Sequence, residues 1–179
     1  LTTIVISSAR SVMAHRAKGA VDFDVVKSWA PWLLLGVGMG LYLASFARPN
    51  QLYSVFAGGV LVYSIYFLFP KALSNMSFSD TMPTGVTRAS IASVLGGFST
   101  LLGIGGGTPT VITMVACSRP IYQAVATASG VGFVIGLGGA IGFLILGLGK
   151  TDLPVGSIGY INMPALLAMG ITSLFTAPI

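Results

Sequence analysis

An all-α, polytopic transmembrane bundle is the fold class this sequence predicts, and three observations predict it. Of 179 residues, 54% are hydrophobic and 7% are charged, whereas an ordinary soluble domain carries about 25% charged residues. Mean hydropathy is +0.91, and the 24 glycines match the small-residue usage of membrane helices. Nine Lys and Arg stand against four Asp and no Glu, for a net charge of +5, and the bases fall between apolar runs. That is the positive-inside pattern of membrane loops and not a nucleic-acid footprint. A water-soluble globule is excluded. The expected partner is the lipid bilayer, in a cell membrane crossed several times, as in a bacterial inner membrane, and no nucleic acid is expected. Cys117 and His15, one of each type, cannot build a disulfide or a multi-ligand Cys/His site. No metal and no cofactor is expected.

Residues 1–14 resemble the end of a span. The polar stretch HRAKGAVDFDVVKS, 15–28, follows as a loop; Arg10, Arg16, Lys18 and Lys27, four of the nine bases, lie in or beside it, which places it in the cytoplasm. Residues 29–47 carry no charge and are long enough, at about 1.5 Å per residue, to cross a ~30 Å hydrocarbon core. After the Arg48-Pro49-Asn50 turn, residues 51–70 cross back, and the Ser-rich loop 71–87 returns to the first basic side. Residues 88–117 hold two apolar arms around Gly103-Ile104-Gly105-Gly106-Gly107. At about 1 kcal/mol per glycine relative to alanine, a continuous helix is disfavoured there, so a broken, re-entrant helix or helical hairpin is expected. Residues 123–149 form the most apolar span, and a last span starts near residue 161. The chain opens on Leu1 and closes on TSLFTAPI, both in apolar stretches, so a fragment of a longer protein is expected.

An internal repeat links PWLLLGVGMGLYLAS (31–45) with PALLAMGITSLFTAP (164–178), pairing Pro31 with Pro164, Leu33 with Leu166, Leu41 with Leu174 and Ala44 with Ala177. The loop before the first copy is basic, whereas its counterpart at 148–162 carries one Lys and one Asp. Opposite sides for the two loops favour an inverted over a parallel repeat. The units are then 1–87, the remainder of a first repeat, and 88–179, a second.

The run GIGGGTPT also has a chemical logic. Gly103 can end the first arm in a left-handed conformation, and Gly105, Gly106 and Gly107 let the backbone turn. Thr108 as N-cap and Pro109 as first helical residue would restart the helix. A helix start bordered by glycine amides attracts anions without a full positive charge. No Lys, His or carboxylate lies well inside the spans. A crossing anion would therefore be held by amides and by the hydroxyls of Thr108, Thr110, Thr113, Thr127 and Ser129. Close helix packing is the competing explanation of the glycine cluster. The pairs Gly36/Gly40, Gly132/Gly136 and Gly138/Gly142 are expected to serve packing. Soluble nucleotide-binding patterns fail, because Thr108 stands where GxGxxG needs glycine and no Lys follows the glycines. Paired carboxylates, or a nucleophile with its base, are missing from the pattern, so an enzyme is not expected.

The run GFSTLLGIGGGTPTVITMVACSRPIYQAVATASG resembles the signature of the TauE/SafE family, the sulfite exporters, at Gly103–Gly107 and Ala124–Ser129. HRAKGAVDF, within Ala14–Phe23, resembles that family's first-half loop. One departure is Ile112, where many members carry Pro; here Pro109 stands earlier. The resemblance implies about eight spans in two related halves, and transport of a small anion such as sulfite, sulfoacetate or another sulfonate. A substrate site would comprise Gly103, Gly105, Gly106, Gly107, Thr108, Pro109, Thr127 and Ser129. A homo-oligomer stays open. The alternative is a non-transporting assembly factor or partner-binding subunit, which would need no helix restart among hydroxyls.

Overall fold

The computed structural model describes residues 1–68, 81–150 and 153–176. Among them are seven helices and one small hairpin: α1 (Thr2–Ala17), α2 (Phe23–Phe46), α3 (Pro49–Leu68), α4 (Gly85–Leu102), α5 (Gly107–Ala116), α6 (Ile121–Gly147), β1 (Ser157–Ile158), β2 (Ile161–Asn162) and α7 (Met163–Thr176). By length and composition, α2 and α6 are apolar and long enough to cross a membrane.

The polar stretch 15–28 is mostly helix, contrary to the loop expected there; residues 18–22 alone join α1 to α2. Asp22 is the physical reason. Its carboxylate accepts the Val25 N–H at 3.2 Å and caps α2, while its own N–H donates to Thr127 Oγ1 at 3.0 Å and ties that cap to α6. Asp24 adds a negative charge in the first turn, where the helix dipole favours it. Polarity marks the segment as wet, and capping decides that it is helical.

Helix α6 is flanked by α1 and α2, and α2 packs in turn along α4. The α2–α4 contact is made by glycine. A Cβ on Gly36 would overlap the Ser93 carbonyl, one on Gly96 would overlap that of Leu33, and one on Gly40 would stand 2.7 Å from the Gly97 oxygen. Around this contact the core collects Trp29, Leu33, Val37, Ala92, Val131 and Ile135, all buried. Gly132 and Gly136 face Ser8 and Val5 of α1, and Gly138 and Gly142 face Leu34 and Leu41 of α2. These glycine pairs serve packing, as expected.

The same contacts give directions. Gly36 lies at Ser93 and Gly40 at Gly97, so α4 runs parallel to α2. Gly130 faces Val26 and Gly142 faces Leu41, so α6 does too. Ser11 meets Ser129 while Leu1 meets Gly139, so α1 runs antiparallel to α6. Tyr63 against Phe98 and Gly59 against Leu102 turn α3 against α4. One end of the bundle therefore carries the end of α1 and the starts of α2, α4 and α6.

The loop expected at 71–87 falls largely outside the described residues; its last part, from Gly85, is already α4. The connection 148–162 holds a hairpin that an all-α expectation missed, pairing Ser157 with Asn162 and Ile158 with Ile161. Gly159 turns it at φ +57° and lies against the Leu144 backbone, too close for any side chain. Asn162 then accepts the Ala165 N–H at 2.9 Å and starts α7.

Candidate functional site

The helix is broken where the glycines predict. Gly103 is left-handed (φ 69°, ψ 15°). Its N–H donates to Thr100 O at 3.3 Å and the Ile104 N–H donates to Ser99 O at 3.2 Å, the paired bonds of a Schellman stop. Gly105 and Gly106 are left-handed as well, both at φ 73°. The restart differs from the expected one. Gly106, not Thr108, is the N-cap of α5, and no side chain caps it. Thr108 and Pro109 are the second and third helical residues. The reason is steric: glycine alone can enter a helix from a positive φ without strain, so the helix begins as soon as the left-handed run ends. The first bond into α5 is Thr110 N–H to Gly106 O at 3.2 Å. Among the described residues Gly107 and Thr108 thus present N–H groups without an acceptor, and Pro109 has none to present. The arms do not form a packed hairpin; α4 lies along α2, and α5 along α6.

Beside the break opens a cavity of about 570 Å³. Ile104, Gly105, Gly107 and Thr108 form one wall, and Val111 and Ile112 continue it. The α6 face supplies Val125, Ser129 and Gly132, and α1 supplies Ile4, Ser7, Ser8 and Ser11. Among the described residues no charged side chain lines it. Ser129 Oγ donates to Val125 O at 3.2 Å and meets Ser11 Oγ at 2.8 Å. Ser7 Oγ donates to Ile4 O at 3.2 Å. The hydroxyls of Ser8 and Thr108 have no hydrogen bond among the described residues. The cavity therefore offers two free hydroxyls and the first amides of α5 beside apolar side chains.

A second cavity, of about 760 Å³, lies on the other side of the break. Gly103, Thr100 and Leu102 border it, with Ala44 and Ser45 of α2, Phe143 of α6, Lys150 and Tyr160. The glycine run divides the two spaces: Gly103 faces one, and Gly105 and Gly107 face the other.

Of the residues expected in the site, Gly105, Gly107, Thr108 and Ser129 meet in the first cavity. Gly103 belongs to the second, and Gly106 lies against Ile135 and Ser99. Pro109 is buried in α5. Thr127 points elsewhere, accepting the Asp22 N–H. The α1 serines were missed. Their signal was present as three hydroxyls within Ser7–Ser11 of an apolar run, but nothing local tells which helix they face.

The chain matches the sulfite exporter TauE/SafE family over residues 1–179. It belongs to that family. This TauE/SafE chain is also 29% identical over 181 residues to a protein of Haemophilus influenzae described as a probable membrane transporter protein. The match covers 98% of this chain and 66% of that relative's length. No solved structure matches it. A membrane transport family agrees with the apolar helices.

Proposed function

We propose that the protein carries a small oxyanion, a sulfur oxyanion or organosulfonate such as sulfite or sulfoacetate, across the cell membrane, and that it catalyses no chemical step. The observation that carries this reading is the first cavity: α5 begins there with unpaired amides beside the free hydroxyls of Ser8 and Thr108. Amides and hydroxyls are donors to an anion's oxygens. Without a fixed counter-charge the hold is moderate, about 2 kcal/mol at most from the helix start. A carrier needs such a hold, because it must also release.

The substrate site consists of Gly105, Gly107, Thr108, Ser129 and the α1 serines. Gly103 and Gly106 shape the wall, and Pro109 stiffens the start of α5. Two cavities divided by one glycine run suit alternating access, in which each is open to one side in turn. The arms α4 and α5 constitute a re-entrant element. The start of α4 lies at the basic end of the bundle, where the end of α1 and the start of α2 bring Arg16, Lys18 and Lys27, while α5 leads back through Arg119 to the start of α6 at that same end. The units 1–87 and 88–179 form an inverted repeat. In support, α2, with Pro31, begins at the basic end, and α7, with Pro164, begins at the opposite end beside Gly156.

Uptake of radiolabelled sulfite and sulfoacetate into vesicles carrying the full chain tests the function. Saturable flux is expected with both, and no flux of any small oxyanion above protein-free vesicles would refute it. Orientation is tested by thiol labelling of Lys18→Cys and Lys150→Cys in a background with Cys117 replaced. The two positions should react from opposite sides, Lys18 facing the cytoplasm; reaction from one side would make the repeat parallel.

A further inference from the structure

Ser99 stands on the last turn of α4, where its carbonyl accepts the Ile104 N–H that closes the Schellman turn. The residue is 1% exposed, yet its Oγ has no hydrogen-bond partner among the described residues. Other buried hydroxyls of this bundle behave differently. Thr100 and Thr110 donate to the carbonyls four residues back at 2.8 and 2.7 Å, and Thr127 accepts the Asp22 N–H at 3.0 Å. A helical serine can reach the same kind of carbonyl, so a buried serine that leaves it unused is turned another way. The direction is fixed by its neighbour. A Cβ built on Gly106 would lie 3.2 Å from Ser99 Oγ and would overlap Ile135 Cδ1.

The free hydroxyl therefore faces Gly106, the N-cap of α5, on the side where a Cβ would stand. It lines neither cavity. Gly103, four residues after it, faces one cavity, and Gly105 and Gly107 face the other. Ser99 thus occupies the partition between the two, with Ile135 closing the remaining space.

We propose that Ser99 Oγ is the relay ligand of the transport path, donating a hydrogen bond to an oxygen of the anion as it passes between Gly106 and Ile135 from one cavity to the other. The proposal rests on the transport reading above. An oxyanion crossing this partition leaves its water behind and needs a donor inside it. Ser99 supplies one that is already uncommitted, so no existing bond must break at the moment of transfer. Gly106 keeps the passage open because it has no side chain, and Ile135 is the movable part, since only the tip of its side chain fills the gap.

Two pairs of variants of the full chain, reconstituted in vesicles, test it. Ser99→Ala should lower the maximal rate of sulfoacetate flux at least about tenfold, with half-saturation moved less than about twofold because the first cavity keeps its donors. Its melting temperature should stay level or rise, since an unpartnered buried hydroxyl is removed. Ser99→Thr and Ser99→Val share a shape and differ by the hydroxyl; the Thr variant should be about tenfold faster than the Val variant. Equal rates for that pair, or a wild-type rate for Ser99→Ala, would overturn the relay and leave the transport reading intact. Absence of flux in the wild-type protein would remove both.

Discussion

Where α2 meets α4, glycine serves contact; where α4 gives way to α5, it serves backbone direction. At Gly36, Gly40 and Gly96 the backbones approach until no Cβ fits, and every one of these residues stays helical. At Gly103, Gly105 and Gly106 the requirement is the sign of φ, between 69° and 73°, and around Gly103 there is open space for a side chain. The lesson is that a glycine cluster has two physical readings, separated by whether the residue is helical against a neighbouring backbone or stands at a positive φ. Packing glycines fail when volume is added. Turn glycines fail when chirality is imposed, even by alanine.

The largest effect is expected on the packing side. Gly96→Val drives a branched side chain into the Leu33 carbonyl, which neither backbone can yield to, and should cost about 3 kcal/mol, the upper end of overpacking losses. Little monodisperse protein should survive size exclusion in detergent; a variant melting like the wild type would erase the distinction. Next comes Gly106→Val, at φ 73°. A non-glycine residue in the left-handed region costs about 1–2 kcal/mol, so the protein should still insert, with flux reduced below about a tenth as the side chain displaces Ile135 and fills the partition. Loss of insertion in place of flux would move Gly106 into the packing class.

Smaller effects sharpen the site. Thr108→Val keeps shape and removes a free hydroxyl from the first cavity; a lost hydrogen bond to a charged group, about 1.5 kcal/mol, raises the half-saturating anion concentration roughly tenfold. Unchanged half-saturation would place Thr108 in the scaffold. Thr113→Val is the control of least effect. Its hydroxyl donates to Pro109 O at 2.8 Å and lies outside the cavity lining, so transport should stay within about twofold of the wild type.

Much of this was legible along the chain. Apolar runs located the helices, because a segment without charges must be helical to satisfy its backbone in lipid. GIGGG located the break, because glycine penalises helix continuation wherever it occurs. Position within a few residues was not legible. Thr108 had the better capping chemistry, but Gly106 caps, since the left-handed run preceding it ends there and a threonine would be strained in its place. The cap of α2 is local, from Asp22 to the Val25 N–H, and was masked by the polarity around it; the bond that ties this cap to Thr127, 105 residues away, has no local signal.

By itself, the sequence determined that this chain is a bundle of apolar helices with a break at Gly103–Gly107 and most of its bases at one end, since composition, glycine content and charge act locally. Tertiary structure alone decided that Ser11 meets Ser129, 118 residues apart, that Ser8 joins Thr108 in one chamber, and that Thr127 holds a helix cap outside it. A serine on an apolar helix can reach its own helix's carbonyls whichever way it faces, and only packing against a second helix decides what else its hydroxyl meets.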